Sequence, residues 1–319
     1  MQHIVNKTIA SLAPVVSFGE KRLSILIFHR VLESYDFMRS GEITAKEFDE
    51  KMALVARYFN PLSLNDAVTK LKQGTLPQRA ICVTFDDGYR DNADTAYPIL
   101  KKYNIPATFY VATGFLDGGR MWNDTVIEAI RLYLKKSINL TDINLGNHEL
   151  NSDSQREVAA QNIIQQIKHL PQRERTEKVD AIASMVGKLP NDLMMDSTQI
   201  QTLNKLGIDI GGHTVTHPIL AKLSSEQAEQ EIREGKAVLE SLIQKPLTSF
   251  AYPNGKLGQD YLPEHVEMVE KLDFKAALST QWGVSNNKSD IYQLNRFTPW
   301  DKSNNKFMAR LVKNLMQVS

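Results

Sequence analysis

Seven short apolar runs, separated for the most part by stretches with helical spacing, constrain the fold of this 319-residue chain most strongly. Such alternation is typical of parallel βαβ units, and seven of them predict a closed or nearly closed (β/α)7 barrel. An open doubly wound sheet is the alternative, but no run is followed by a glycine-rich phosphate loop. The runs are L-S-I-L-I-F from residue 23, A-I-C-V-T-F from 80, A-T-F-Y-V-A from 107, G-I-D-I-G-G from 207, T-S-F-A-Y from 248, K-A-A-L-S-T from 275 and Y-Q-L-N-R-F-T-P from 292.

Composition excludes several classes of protein. The hydrophobic fraction of 42% is sufficient for a buried core, and the net charge of +1 does not indicate a nucleic-acid partner. Cys82 is the only cysteine, so an internal disulfide is excluded, and its apolar strand predicts a buried thiol. The first 19 residues make a poor signal peptide, because one lysine precedes a short apolar patch that Pro14 interrupts. No run is long enough to span a bilayer, and we expect a cytoplasmic location with membrane association left open.

The region from about 118 to 199 differs from the rest of the chain. It is polar and rich in Gln, Glu, Lys and Asn, with helical spacing over 124–134 and 156–170. We interpret it as a helical insertion without a core of its own, within a single barrel domain that covers 1–319. Its role is not evident from the sequence. Apolar residues at helical spacing over 306–316 predict a final helix packed on the barrel.

Chemically capable residues follow the predicted strands. In a parallel barrel the carboxyl ends of all strands open onto one face, where enzymes of this architecture build their sites. Residues far apart in sequence are therefore expected to converge there. They are His29 after the first strand, Asp86 and Asp87 after the second, His213 and His217 after the fourth, Tyr252 to Gly255 after the fifth, Trp282 after the sixth and Arg296 on the seventh.

The residue types at these ends indicate a metal site. Two histidines four apart, His213 and His217, are expected on one face of a helical turn. With one carboxylate they make a three-ligand site suited to zinc, and also to iron, cobalt, manganese or nickel. Adjacent carboxylates repel, so Asp86 and Asp87 need a cation, a shared proton or solvent. The alternative is a solvated turn, with Asp91 capping the next helix, beside two packing histidines.

Two motifs carry a resemblance to a known family. T-F-D-D-G at Thr84 to Gly88 and H-T-V-T-H at His213 to His217 resemble the first two motifs of the polysaccharide deacetylases, also called the NodB-homology domain or carbohydrate esterase family four. The similarity extends over about 20 to 300, apart from the insertion. It implies a distorted barrel of seven strands and metal-dependent removal of N-acetyl groups from a sugar, in assembly or modification of a bacterial surface polysaccharide.

The resemblance also implies roles for individual residues. Asp87, His213 and His217 match the metal ligands, and Asp86 matches the general base. The third motif corresponds to A-Y-P-N at Ala251 to Asn254, where alanine replaces the family's arginine and asparagine its aromatic residue. A backbone N–H near Asn254 still suits an oxyanion, because that role needs no side chain.

The last motif departs from the family in one residue. It corresponds to Q-L-N-R, in which Leu294 is retained and Asn295 stands where the family has a catalytic histidine. His29, in I-F-H-R-V, resembles the histidine of a branch with permuted motifs that includes biofilm poly-N-acetylglucosamine deacetylases. On that basis His29 is predicted to protonate the departing amine. Arg296 is predicted to orient Asp86 in place of the missing arginine.

The predicted substrate and cofactor complete this interpretation. We expect an N-acetylated sugar or glycan as substrate and one divalent metal, with zinc preferred. Another C–N hydrolase on the same barrel, acting on a cyclic or linear amide, and a glycan-binding protein without turnover are the alternatives. The residues predicted to contact the sugar are Tyr252, Pro253, Asn254, Trp282 and Leu294, and Met121 to Asp124 is predicted to form either a rim segment or a helix cap.

Overall fold

Seven parallel strands form the centre of the molecule, in a computed structural model that describes residues 20–317. They pair in chain order, and the barrel closes where Ile27 N–H donates to the Phe297 carbonyl at 3.1 Å and Phe297 N–H donates to that of Ile25 at 2.7 Å. The predicted (β/α)7 barrel is therefore confirmed. The strands are β1 Leu23–Phe28, β2 Ala80–Phe85, β3 Ala107–Val111, β4 Asp209–Gly212, β5 Ser249–Ala251, β6 Ala276–Trp282 and β7 Leu294–Arg296.

Helices cover the barrel, and several of them begin at polar caps. Thr44 and Glu47 form a capping box at the start of α1, and the Ser63 hydroxyl accepts from the Asp66 N–H at the start of α2. A π-helical turn, Asn92–Ala96, precedes α3. The helices are α1 Ala45–Tyr58, α2 Leu64–Lys72, α3 Tyr97–Lys102, α4 Trp122–Leu132, α5 Asp153–Ile167, α6 Gln172–Ala183, α7 Ser197–Lys205, α8 Ser225–Ile243, α9 Pro263–Lys271 and α10 Asn304–Asn314.

The strands follow the two-residue period of a sheet with different layers on its two faces. The ring centroids of Phe28 and Phe85 lie 5.4 Å apart, and both rings pack with Phe48 of α1 in the layer between the barrel and the helices. Intervening residues such as Ile25 and Cys82 belong to a second buried cluster inside the barrel. Because Asp86 continues the inward series through Cys82 and Thr84, the strand aims this carboxylate at the barrel mouth.

The last connection of the barrel and the end of the chain both agree with the sequence prediction. A loop without a helix joins β6 to β7, and the sequence predicted no helix between these two strands. The final helix α10 does pack on the barrel as predicted, because Phe307, Met308 and Leu311 are buried in the main core cluster.

The insertion has a small core of its own, in contrast to the prediction. Its helices α4, α5 and α6 and a short antiparallel ribbon, Ser137–Asn139 with Asn147–Glu149, enclose a separate cluster of buried side chains. The cluster includes Val126, Ile130, Ala160, Ile163, Val179 and Ile182, together with Met38 from the segment that follows β1. The many Gln, Glu and Lys residues of these helices cover the outer face, so the low average hydrophobicity concealed the apolar one.

Two sequence predictions concern termini and membranes. The start of the chain, interpreted above as a poor signal peptide, lies outside the described residues. Over residues 20–317, none of the helices combines the length and the apolar character needed to cross a bilayer.

Candidate active site

A sharp turn at the end of β2 places two carboxylates at the barrel mouth. Asp87 has φ 77° and Gly88 has φ 90°, so both residues adopt left-handed backbone. A Cβ on Gly88 would lie 3.0 Å from Cγ1 of Val111, which explains why glycine follows the aspartates. The Asp86 N–H donates to the Phe28 carbonyl at 2.9 Å and extends the β1–β2 pairing to this residue.

Arg296 holds Asp86 in its ionised form. Its Nη1 and Nη2 donate to the two oxygens of Asp86 at 2.7 and 2.8 Å, and its Nε donates to the Ser279 carbonyl at 2.8 Å. Asp86 is 3% exposed and Arg296 is 1% exposed. Burial alone would raise the pKa of Asp86, but the charges of Arg296 and His213 outweigh it, so the pKa is lowered. The carboxylate is therefore an ionised and oriented base at neutral pH.

Asp87, His213 and His217 form a cluster that could hold a metal ion. Nε2 of His213 and Nε2 of His217 lie 3.5 and 3.4 Å from Oδ1 of Asp87, and the three ligand atoms lie within 4.8 Å of one another. Oδ1 of Asp87 is buried without a hydrogen-bond partner, as expected of an atom that serves as a ligand. The donor set of two imidazoles and one carboxylate fits zinc and related divalent metals.

The pKa values of the two histidines shift in opposite directions. Nδ1 of His213 lies 2.7 Å from the Ala251 carbonyl, which only accepts, so the proton is on Nδ1 and Nε2 faces Asp87. Burial lowers the pKa of His213, but Asp86 and Asp87 raise it more. Burial lowers the pKa of His217 to about 4, with His213 adding to the effect. His217 is therefore a neutral imidazole at pH 7, the form that binds a metal.

The segment that carries both histidines is a bent loop, so the predicted helical turn is wrong. Thr214 and His217 have φ 67° and 53°, which no helical turn allows. The Glu231 carboxylate of α8 holds the loop by accepting from the N–H groups of Val215 and Thr216 at 2.9 and 2.8 Å. The loop still brings the two imidazole rings to 4.7 Å between centroids.

His29 lies in the wall of a cavity of about 210 Å³ that also exposes Asp87 and His217. The Asn92 amide donates to the His29 carbonyl at 2.8 Å. The alternative interpretation, in which the Asp91 side chain caps the following helix, is wrong, because that side chain makes no capping hydrogen bond. Its carboxylate instead accepts from the Val31 N–H at 3.0 Å and from the Arg30 Nε at 2.8 Å. These bonds fix the segment after β1 beside the end of β2 and so position His29.

Asn254 is the residue of the third motif that reaches this cavity. It has φ 59°, and its carbonyl accepts from the Thr280 hydroxyl at 2.6 Å. Gly255 has φ 74°, and a Cβ there would lie 2.8 Å from the Thr280 backbone. The tight turn thus brings backbone and the amide side chain of Asn254 to the cavity wall.

A family model described as polysaccharide deacetylase matches residues 73–277, which is more than half of the chain. The chain belongs to the polysaccharide deacetylase family. It is 23% identical over 277 residues to YxkH of Bacillus subtilis (strain 168), covering 86% of this chain and 70% of that protein. It is 25% identical over 195 residues to a poly-beta-1,6-N-acetyl-D-glucosamine N-deacetylase of Staphylococcus epidermidis, covering 58% of this chain and 65% of the relative.

Solved structures of deacetylases share the fold. The Streptococcus pyogenes deacetylase PplD, in complex with acetate, superposes with a TM-score of 0.62 at 18% identity, covering 91% of this chain and 98% of that one. IcaB from Ammonifex degensii gives a TM-score of 0.58 at 18% identity, covering 93% and 98%. At such identities the likeness establishes the barrel.

Other residues predicted to bind sugar lie elsewhere in this polysaccharide deacetylase. Tyr252 is buried and stacks on Tyr261 at 3.9 Å, and Leu294 is buried inside the barrel. Trp282 packs against Phe297 and Trp300, with 5.3 Å between ring centroids in each pair, and it borders a different cavity. These three residues and the buried Pro253 do not line the cavity that exposes Asp87.

The position of the family's missing histidine is structural here. Asn295 is 2% exposed, and its amide donates to the Val284 carbonyl at 3.3 Å. A Cβ on Gly283 would lie 2.9 Å from the Asn295 amide nitrogen, which shows how closely the loop after β6 packs on this residue.

The insertion supplies one wall of the catalytic cavity, and sequence reasoning missed most of it. The sequence predicts either a rim segment or a helix cap within Met121 to Asp124, and the first three of these residues line the cavity. The helix-cap alternative is wrong, because Met121 is the N-cap residue and no side chain caps the helix. Asp124 accepts from Arg39 Nη2 at 2.7 Å and from the Tyr89 hydroxyl at 2.8 Å. Four further residues of the cavity wall carry no sequence signal, because they lie in ordinary amphipathic helices or in the loop after His217. They are Ile164, Lys168, Arg175 and Ile219.

Proposed function

We propose that this protein is a metal-dependent N-deacetylase acting on an N-acetylated sugar of a polysaccharide or its precursor. One observation carries the proposal: an ionised base, Asp86, lies buried beside a three-residue metal-ligand cluster whose Asp87 oxygen has no hydrogen-bond partner. Family membership and the relatives named as poly-beta-1,6-N-acetyl-D-glucosamine N-deacetylases support the reaction and substrate class. The chain spans between about half and two thirds of the length of those relatives.

Asp87, His213 and His217 would hold the metal. When bound, a divalent cation supplies Lewis acidity toward an amide carbonyl and lowers the pKa of water. Zinc is the cation that we propose first. Cobalt, iron, manganese and nickel are the alternatives that suit the same ligands.

Asp86 and His29 divide the proton transfers of amide hydrolysis. Asp86 takes a proton from the attacking water while the water oxygen forms a bond to the acetyl carbon. His29 gives a proton to the nitrogen as the C–N bond breaks, so the products are acetate and a free amine. Arg296 keeps Asp86 ionised and fixes its plane. A backbone N–H at the Asn254 turn is our candidate for stabilising the charge that develops on the carbonyl oxygen.

Acetate release tests the proposal. Chitotetraose and a short poly-β-1,6-N-acetylglucosamine are incubated with protein loaded with zinc or cobalt, and acetate is measured by an enzymatic assay. The matched control is Asp86→Asn, which keeps the size of the side chain but removes the base. We expect release with the wild type and almost none with the variant.

Three results would contradict the proposed deacetylase function. A product with a newly opened ring and no acetate would indicate a different C–N hydrolase. Binding of oligosaccharide without acetate release would indicate a glycan-binding protein. Equal release by wild type and Asp86→Asn would remove Asp86 from the reaction. The cytoplasmic location and the single-domain boundaries stay predictions of the sequence.

A further inference from the structure

Two basic side chains of the insertion enter the cavity that exposes His29, Asp87 and His217. They are Lys168, just after α5, and Arg175, in α6. We propose that Lys168 and Arg175 bind an anionic group, a carboxylate or a phosphate, carried by the N-acetylated glycan close to the acetamido group that is cleaved. This inference rests on the proposed function and narrows its substrate class to an acidic glycan.

Arg175 is the exception among the buried arginines of the described residues. Arginine is rarely buried without a partner, because desolvating its charge is costly. Four of the buried arginines form ion pairs at 2.7 or 2.8 Å: Arg22 with Glu20, Arg30 with Asp91, Arg39 with Asp124 and Arg296 with Asp86. Within residues 20–317 no carboxylate lies within ion-pairing distance of Arg175, which is only 6% exposed.

The contacts of Arg175 hold it in place without neutralising it. Its Nη1 donates to the Lys168 carbonyl at 3.3 Å, and its guanidinium lies 5.0 Å from the centroid of the Trp122 ring. Burial lowers the pKa of Arg175, and no opposite charge offsets that effect. A guanidinium nevertheless stays protonated in water at neutral pH. The hydrogen bond also ties Arg175 to the backbone of Lys168, so the two residues are held next to each other in the cavity wall.

The negative charge that would complete this pair is expected to arrive with the substrate. Asp87, the carboxylate that shares the cavity, belongs to the metal-ligand cluster. A neutral glycan of N-acetylglucosamine offers these cations no charge. A planar guanidinium and an ammonium group from the wall of one cavity match the oxygens of a carboxylate or a phosphate.

Binding and turnover of three probes test the proposal. The probes are chitotetraose, which is neutral, a hyaluronan tetrasaccharide, which adds carboxylates, and N-acetylglucosamine 6-phosphate, which adds a phosphate. Affinities are measured by calorimetry and acetate release by assay, with the metal-loaded protein. The variants are Arg175→Gln, Arg175→Lys and Lys168→Gln. The matched control is Arg173→Gln on the same helix, because the Arg173 side chain is 92% exposed and pairs with Glu177 on the surface.

We expect wild type and Arg173→Gln to bind at least one acidic probe about ten times more tightly than chitotetraose or better. Arg175→Gln should lower this preference by roughly 10-fold, the usual effect of losing a charge-assisted hydrogen bond. The preference of Arg175→Lys for the acidic probe should lie between those of the wild type and Arg175→Gln, because lysine keeps the charge but lacks the planar guanidinium. Lys168 is half-buried, so Lys168→Gln tests the site even where Arg175→Gln fails to fold. Preference for the carboxylate or for the phosphate probe identifies the anion.

Equal affinity of the wild type for neutral and acidic probes would overturn the proposal. An equal loss of affinity for all three probes in folded Arg175→Gln and Lys168→Gln would also overturn it, since that result would show a structural role for these residues. Preferred binding of an acidic probe without acetate release from any probe would contradict the proposed function and leave the anion site intact. The two proposals can therefore fail separately.

Discussion

Replacing Arg296 with methionine separates the electrostatic contribution of the buried ion pair from its packing. The variant removes both hydrogen bonds to Asp86 and leaves a carboxylate that is 3% exposed without its cation. Breaking a buried pair by removing one partner costs about 3–5 kcal/mol. We expect a loss of that size in the free energy of unfolding at pH 7, measured by urea denaturation of protein freed of metal with a chelator.

The pH dependence of this loss identifies its cause. In the wild type the lowered pKa of Asp86 contributes stability that is present above about pH 4, near the unfolded pKa, and is lost as pH falls through the folded pKa. In Arg296→Met burial of Asp86 is unopposed by the guanidinium, so its pKa rises. Below that raised pKa the folded variant takes up a proton, and the stability difference shrinks by about 1.4 kcal/mol per pH unit.

The double variant Asp86→Asn with Arg296→Met supplies the control. It contains no buried charge at this position, so it should be more stable at pH 7 than Arg296→Met alone by about 2 kcal/mol or more. The same loss at pH 7 and pH 4.5, combined with no recovery in the double variant, would refute the electrostatic argument. The damage would then come from the volume of the lost side chain.

Four further predictions concern single residues. The wild type should bind about one zinc or cobalt ion per chain by elemental analysis and His217→Ala should bind almost none, and equal metal in both proteins would contradict the ligand assignment. His29→Ala should lower kcat for acetate release by about 10²- to 10⁴-fold, and an unchanged kcat would exclude it as the acid. Because burial raises the pKa of Cys82, a thiol reagent should label it in urea but not in the native protein, and rapid native labelling would contradict its burial. Gly88→Ala should lower the free energy of unfolding by about 1–3 kcal/mol, since φ is 90° there, and an unchanged urea midpoint would show that the turn relaxes.

The sequence predicted the barrel because each strand carries its own signal. A run such as A-I-C-V-T-F is apolar along its whole length, and β2 extends over the same residues, Ala80–Phe85. Residues at strand ends were also predictable in position, since parallel strands open onto one face. Asp87, His213 and His217 meet there within 4.8 Å.

Features that depend on tertiary context were not predictable. H-x-x-x-H has the spacing of a helical turn, yet the distant Glu231 carboxylate holds it as a loop by accepting hydrogen bonds from backbone N–H groups of that loop. The core of the insertion was concealed because its apolar residues alternate with many charged ones. Arg175 gives no signal at all, since a lone arginine in an amphipathic helix is ordinarily a solvated residue. Only the packing of α6 against α4, which places the guanidinium 5.0 Å from the centroid of the Trp122 ring, shows that it is buried.

Buried ion pairs make the insertion a fixed wall of the cavity. Arg39, from the segment after β1, donates to Asp124 and Glu128 of α4, each at 2.7 Å, and Tyr89 beside the catalytic turn donates to Asp124 at 2.8 Å. Swinging the insertion away would expose these groups separately, and each broken buried pair costs several kcal/mol. Under the proposed function, a glycan therefore enters a cavity whose candidate metal ligands and cationic wall are already in position. We infer that specificity then comes from the chemistry of the insertion, while the barrel supplies the reaction.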